Sequence, residues 1–425
     1  DGSEQLKQKH AALVSRNLLT LTLITALSGF LFGYDTGVIS GSILLIRDRF
    51  NLSKASQSLV VTVTVVLSAL GSFASGRIAD GFGRRTTLLW CGVLFVFSSL
   101  VMSSASTFWV LILGRGMVGF AVGVASMVGP LYISECSPCG IRGRLTSVNT
   151  MSICVGQFAA GMVAGGLQDV EGGRRWMLGL GAVPAALMWV GMRGRGESPR
   201  FLVMGERRGE GEEVLRGLRY GGREEAREEV EGIVLELLKT RSLPPTGVAA
   251  AVRHGPTRRA LGIGCGLMAL QQLCGINTVM YYAASIYEMS GFSESESIWL
   301  SGFTSLAQVV GVGASVWLVE RRGRRELLMW SLGGVVGSLG LLGWAFLEGR
   351  RRSGEVRDVE DPRCQGREAW LWDGVTRYCV DCVGIEGCGY VDGTCLFIGD
   401  DDDNNDNNDN NDNNDNNDND VPPRA

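Results

Sequence analysis

Histidine is almost absent from this chain. There are two, His10 and His254, and both lie in polar stretches. A histidine-built metal centre is therefore not expected, and no imidazole is placed for acid–base work. No phosphate-cradling glycine loop and no nucleophilic triad is present, so nothing points to an enzyme or to a cofactor. A cleavable leader is not expected in this stretch either: residues 1–10 are polar, and the apolar segment after them is too long for a signal peptide and has no small-residue cleavage site. The first residue is Asp rather than Met, so the chain is expected to be a piece of a longer protein.

Glycine and apolar residues are plentiful: 60 glycines in 425 residues, with 45% hydrophobic. Apolar runs of about 20 residues recur, the length that crosses a bilayer as a helix. The chain therefore reads as an all-α polytopic membrane bundle, and its glycine content suits helices packed closely in lipid. Nine spans are expected, at 18–44, 58–78, 87–104, 108–133, 148–167, 176–192, 260–287, 298–319 and 327–347. The formal charge of −4 hides an asymmetry. Acid is concentrated at 400–420, while the loops between spans are rich in arginine. Topology explains those arginines, so no nucleic-acid partner is expected.

Orientation follows from where the basic residues fall. Lys7, Lys9 and Arg16 precede the first span; Arg84 and Arg85, Arg142 and Arg144, and Arg321, Arg322, Arg324 and Arg325 occupy even-numbered loops. Residues 103–107 and 288–297 carry no Lys or Arg. The N-terminus and the even-numbered loops are thus cytosolic. Arg47, Arg49, Lys54, Arg174 and Arg175 stand against the rule.

The stretch 29–41, GFLFGYDTGVISG, organises the rest. It holds one ionisable residue, Asp35, inside an apolar run. A carboxylate in hydrocarbon costs on the order of 3 kcal/mol or more, so it faces a cavity, pairs, or is neutralised. Arg115 is the candidate partner, because the orientation puts both residues in the outer half of the bundle. An acid poised between a neighbouring cation and an apolar surrounding can load and release a proton. The other reading is a neutral, hydrogen-bonded acid that only orders packing.

Spans five, seven and eight carry neutral amides: Gln157; Gln271, Gln272 and Asn277; and Gln308. Amides both donate and accept, which suits a polyhydroxylated ligand. Hydrogen bonding between helices is the alternative, but four or more amides on three spans favour a cavity.

An internal repeat runs through the chain. GRIADGFGRR at 76–85 joins spans two and three, and VWLVERRGRR at 316–325 joins spans eight and nine. Six spans separate them, which implies two related six-span halves, the second short of three spans. The expected organisation is a first half at 1–192, a cytosolic helical linker at 193–259, and three spans of the second half at 260–347. An outer cysteine-rich loop at 348–399 and an Asp/Asn-rich tail at 400–425 follow. The tail cannot bury a core and reads as disordered low-complexity sequence, with an acidic cation-binding segment as the alternative. An extracellular cluster of cysteines, Cys364, Cys379, Cys382, Cys388 and Cys395, reads as disulfides, with a zinc site as the alternative.

Together these motifs resemble the sugar porters of the major facilitator superfamily. GFLFGYDTGVISG, GRIADGFGRR, GRGMVGFAVG, PLYISECSPCGIRGRL, ESPRFL, QQLCGIN and VERRGRR carry the resemblance over about 18–347. It implies a twelve-span fold, nine spans of it here, working by alternating access. It implies that Asp35 is the proton-coupling carboxylate with Arg115 as partner, and that Phe32, Gln157, Gln271, Gln272, Asn277 and Gln308 line the sugar site. Asp80, Arg84, Arg85, Glu135, Arg142, Glu197, Arg200, Glu320, Arg324 and Arg325 would form the cytosolic gate. Gln308 stands where many members have Asn, Gly196 replaces the usual proline before ESPR, and Val316 replaces glycine in the second loop motif. The run of Trp370, Cys379, Cys382, Cys388 and Cys395 resembles the cysteine-rich insert of proton-coupled inositol transporters, with Val391 in place of a further cysteine. The resemblance implies proton symport of myo-inositol or a related polyol by a monomer in the plasma or vacuolar membrane. A hexose/proton symporter is the first alternative, and a non-transporting sensor or pseudotransporter the second. With three spans missing, transport by this chain alone is expected to be impaired.

Overall fold

The computed structural model describes residues 15–50, 52–138, 140–219, 223–241, 255–290, 292–352, 358–359, 388–391 and 394–397. The first five expected spans are single helices: α1 (Arg16–Phe50), α2 (Lys54–Phe82), α3 (Arg84–Ser104), α4 (Phe108–Cys136) and α5 (Arg142–Leu167). The sixth is two, α6 (Gly173–Gly179) and α7 (Ala182–Arg193), joined by a turn. The linker forms α8 (Pro199–Met204), α9 (Arg208–Leu218) and α10 (Arg223–Arg241). They are followed by α11 (Gly255–Leu273), α12 (Ile276–Tyr281), α13 (Ala283–Met289), α14 (Glu294–Arg322) and α15 (Arg324–Arg352).

The seventh span departs from expectation. Instead of one helix over 260–287 there are three pieces, α11, α12 and α13. Gly275 has φ 78°, a left-handed conformation that glycine takes freely and that ends α11. The apolar run concealed the break because hydropathy does not register backbone handedness. Among the described residues eight segments are long and apolar enough to cross a membrane, and none of the three pieces is among them. The cysteine-rich stretch carries short strands, β1 (Asp358–Val359), β2 (Cys388–Val391) and β3 (Thr394–Phe397), in the order β1-β3-β2. Cys364, Cys379 and Cys382 lie outside the described residues; Cys388 and Cys395 sit on the antiparallel pair β2 and β3. Residues 1–323 form one compact unit and 324–425 another.

Glycine sets the closest helix contacts. Gly29, Gly33, Gly37 and Gly41 recur every fourth residue, so they line one face of α1 and meet α5. A Cβ built on Gly33 would lie 1.8 Å from the Ile153 carbonyl oxygen; one on Gly37 would lie 2.7 Å from that of Gln157. This is packing of small residues at spacing four, which brings backbones together in lipid. The two helices run parallel, as first and fifth spans must. α2 and α4 also run parallel, with Gly119 against Thr64 and Gly123 against Ser68. α5 and α14 run antiparallel, with Gly165 against Trp299 and Gly161 against Gly302. These directions agree with a chain that crosses the membrane once per span.

The repeat is visible in the backbone. α2 and α14 are both 29 residues long and start 240 positions apart, at 54 and 294. Each is capped by a serine, Ser53 or Ser293, with φ −63° and ψ 158°. Each ends on a glycine at positive φ, Gly83 at 93° and Gly323 at 84°.

The close approach of α1 to α5 makes a direct prediction. Gly33→Ala puts a methyl group into backbone and should cost ~1–3 kcal/mol or more. Gly76→Ala, where nothing lies within 4 Å of the new Cβ, should be neutral or stabilising by up to ~1 kcal/mol. Thermal melts of the two variants in detergent check this, and equal melting temperatures would count against it.

Candidate functional site

Arg115 is fully buried and Asp35 is 6% exposed, and the guanidinium donates from Nη1 to Asp35 Oδ1. α1 and α4 thus share the one ion pair that the sequence pointed to. The flanking glycines let α4 come close: a Cβ on Gly114 would meet Met102 Cγ at 2.5 Å. The Nε and Nη2 of Arg115 are buried with no hydrogen-bond partner among the described residues. Beside the acid is a cavity of about 10 Å³, room for about one water, lined by Tyr34, Asp35, Ser99 and apolar side chains of α1, α3 and α4. Tyr34 donates to the Met177 carbonyl at 2.8 Å.

Span seven reaches the same place. α12 packs on α1, and its half-buried Tyr281 lies near Thr36 and Asp35. Nothing in the sequence linked Tyr281 to the acid. Thr36 carried no signal, since its hydroxyl donates to the Phe32 carbonyl of its own helix at 3.0 Å, as helical threonines commonly do.

The amides divide into two groups. Gln157 is buried and Gln308 half-buried, and the Oε1 of each is buried without a partner among the described residues. They lie at matching depth on neighbouring helices, because Gly161 meets Gly302 and Met151 meets Gly313 along the antiparallel pair. Phe32 is half-buried against the same core. Gln271, Gln272 and Asn277 are exposed. They flank the Gly275 break, and Asn277 Nδ2 donates to Gln272 Oε1 across it at 2.5 Å. The described residues therefore enclose the first-half and span-eight groups but not the span-seven amides.

At the inner end a second cluster forms. Arg84 is 4% exposed and donates from Nε and Nη2 to the two oxygens of Glu135 at 3.0 and 3.2 Å. It also pairs with Asp80 at 3.1 Å and lies over the Phe201 ring. Ser198 donates to Glu135. Glu197 accepts the backbone N–H of Arg85 at 2.9 Å and of Thr86 at 3.4 Å, at the N-terminus of α3, where the helix dipole favours an anion. Arg85 donates to the Met192 and Arg193 carbonyls at the end of α7, at 3.0 and 2.6 Å. Asp80, Arg84, Arg85, Glu135 and Glu197 are thus brought together. Arg200 is elsewhere: it pairs with Glu236 of α10 at 3.3 Å. Arg142 opens α5 and is exposed, as is Arg325, and the side chains of Glu320 and Arg324 lie outside the described residues. At Gly196, where the motif expects proline, the carbonyl accepts the Tyr132 hydroxyl at 2.5 Å.

The buried pair makes a second prediction. Arg115→Ala leaves Asp35 unpaired in an apolar interior and should cost ~3–5 kcal/mol. Adding Asp35→Asn to that variant removes the stranded charge and should recover part of the loss. Melting of the single and double variants in detergent decides it; a double variant no more stable than Arg115→Ala would mean that Asp35 carries no charge to strand.

Comparison with known proteins places this geometry. The family model described as "Sugar (and other) transporter" matches residues 21–356. The human proton myo-inositol cotransporter is 37% identical over 377 residues, covering 87% of this chain and 57% of the relative. Probable inositol transporter 2 of Arabidopsis thaliana is 35% identical, covering 88% and 66%. The galactose-proton symporter of Escherichia coli K12 is 34% identical, covering 75% and 68%. The chain thus spans 57–66% of the length of these two inositol-transporter relatives. Among solved structures, the proton:xylose symporter XylE bound to 6-bromo-6-deoxy-D-glucose superposes with TM-score 0.65 at 28% identity, covering 73% of this chain and 70% of that one. The helices have the major facilitator fold, and the chain is an integral, multi-pass membrane protein. With most of its length matched by the family model, the chain belongs to the sugar (and other) transporter family.

Proposed function

We propose that this chain belongs to a proton-coupled symporter of myo-inositol or a related polyol that works by alternating access. The observation that carries the reading is the buried Asp35–Arg115 pair, in which two guanidinium nitrogens are left without partners among the described residues. A charge pair this deep persists in a membrane protein when it does work there. Protonation of Asp35 removes the charge that holds Arg115. The freed guanidinium then has all its donors available inside the bundle, and α1 and α4 can shift against one another. Proton loading and helix rearrangement are coupled at one contact.

Phe32, Gln157, Gln271, Gln272, Asn277 and Gln308 form the polyol site in this reading. The unpartnered Gln157 and Gln308 oxygens accept from ligand hydroxyls, and the amide N–H groups donate to them. Closure of the second half over the first brings the exposed span-seven amides to the ligand. The cluster of Asp80, Arg84, Arg85, Glu135 and Glu197 ties the inner ends of α2, α3, α4 and α7 and acts as the cytosolic gate, with Arg142, Glu320, Arg324 and Arg325 as its further members and Arg200, paired here with Glu236, joining it when that contact opens. The two halves are 1–192 and 260 onward, joined by the linker 193–259. The outer cysteines form disulfides, the transporter works as a monomer, and it resides in the plasma or vacuolar membrane. The preference for a polyol is supported by the two inositol-transporter relatives, which cover more of this chain than the galactose-proton symporter does.

The test is uptake of labelled myo-inositol into proteoliposomes under an imposed proton gradient, with Asp35→Asn as the comparison. The variant should lose accumulation against a gradient while keeping exchange of label at equal pH. Accumulation at the parent level by Asp35→Asn would refute the coupling role. Galactose that displaces the label better than inositol would favour a hexose symporter instead.

A further inference from the structure

Arg47 is one of five basic residues on the side of the membrane where the charge rule disfavours them. The structure gives it a partner in the other half of the molecule. Its Nη1 donates to both carboxylate oxygens of Glu288, at 3.0 and 3.2 Å. The two side chains are 31% and 28% exposed, so the pair is only partly screened by solvent. Arg47 lies in the last turn of α1 and Glu288 near the end of α13.

The position of this pair is informative. It closes the outer rim above Asp35, which precedes Arg47 by twelve residues on the same helix, about 18 Å at 1.5 Å per residue. α12 and α13 pack along α1 between these two levels, with Tyr281 against Thr36 and Ala284 fully buried. Nearby, Gln168 at the end of α5 donates to Ser295 of α14 at 2.6 Å. The short α13 is separated from α11 by the Gly275 break and from α12 by the turn at Tyr282. It can therefore swing without carrying α11 with it.

We propose that Arg47 and Glu288 form an outer latch between the two halves, whose release is part of the step that opens the path from outside to Asp35. The proposal rests on the alternating-access reading above. An ion pair on a static surface contributes little. One that bridges two moving bodies biases a two-state equilibrium, and there even a modest interaction shifts populations several-fold.

The experiment uses the full chain carrying Thr36→Cys in intact cells. A membrane-impermeant charged methanethiosulfonate is added outside, and modification of the peptide containing position 36 is followed by mass spectrometry. Arg47→Gln and Glu288→Gln should each speed modification roughly two- to five-fold, the shift that a partly screened pair gives. Combining Arg47→Glu with Glu288→Arg should bring the rate back towards the parent, and Arg47→Lys should react like the parent. Unchanged rates in both Gln variants overturn the latch. So does a swapped pair that reacts as fast as the single variants, or Arg47→Lys behaving like Arg47→Gln. No substrate is present, so a chain that fails to transport still reports on the latch.

Discussion

A guanidinium cannot be taken into hydrocarbon alone, and the outer half of this bundle is arranged around that constraint. Arg115 has no solvent exposure, and its one carboxylate partner sits on a different helix. α1 and α4 must therefore hold a fixed register, since a slip of one residue turns either side chain by about 100° around its axis. Glycine supplies that precision. The stripe at 29, 33, 37 and 41 seats α1 on α5 along the face opposite Asp35, and Gly114 lets α4 approach Met102 of α3 beside Arg115. Larger residues there would separate the helices and stretch the pair.

The duplicated backbone helps to explain the charge clusters at the inner end of the bundle. Gly83 and Gly323 hold the same left-handed turn, and the serine caps 30 residues before them match as well. The turn leads directly into the arginines that follow it. In the first copy the consequence is visible: Arg84 reaches Glu135 and Asp80, and Arg85 reaches the carbonyls that end α7. The linker is bound into the same corner. Arg219 pairs with Glu229 and donates to the Cys136 carbonyl at the end of α4, while Ser15 and Asn17 donate to the Leu218 and Gly217 carbonyls. The inner ends of α1, α3, α4 and α7 are thus clamped together by polar groups of which Arg84, Glu135 and Arg219 are themselves nearly buried.

How much of this was legible in the sequence depended on the physics behind each feature. The Asp35–Arg115 pairing was readable because hydrocarbon leaves a buried acid few options, and one arginine lay at its depth. The spans and the repeat were readable because hydropathy and a ten-residue motif survive without coordinates. The break at Gly275 was not, because a glycine inside an apolar run looks the same whether it is helical or left-handed. Nor was the exposure of Gln271, Gln272 and Asn277, which depends on what packs beside them rather than on their own helix. Arg200 was assigned to the gate from its motif, yet a glutamate 36 residues on in the linker holds it. The Arg47–Glu288 contact had a trace in the sequence, a basic residue on the disfavoured side, but its partner was one of many acids.

The groups left without partners constrain what the interior can hold. Two Arg115 nitrogens offer donors near Asp35, and Gln157 and Gln308 offer acceptors at one shared depth. A carboxylate ligand would be drawn to Arg115 and would compete with Asp35 for it, breaking the pair on binding alone and uncoupling it from protonation. A cation would be repelled by the same arginine. A neutral ligand rich in hydroxyls meets both demands, because each hydroxyl can accept from a guanidinium or amide N–H and donate to an amide oxygen. It leaves the Asp35–Arg115 contact to be governed by the proton. In the proposed symport, a charged substrate would compete for one member of the ion pair, whereas a neutral one would leave that contact to the proton.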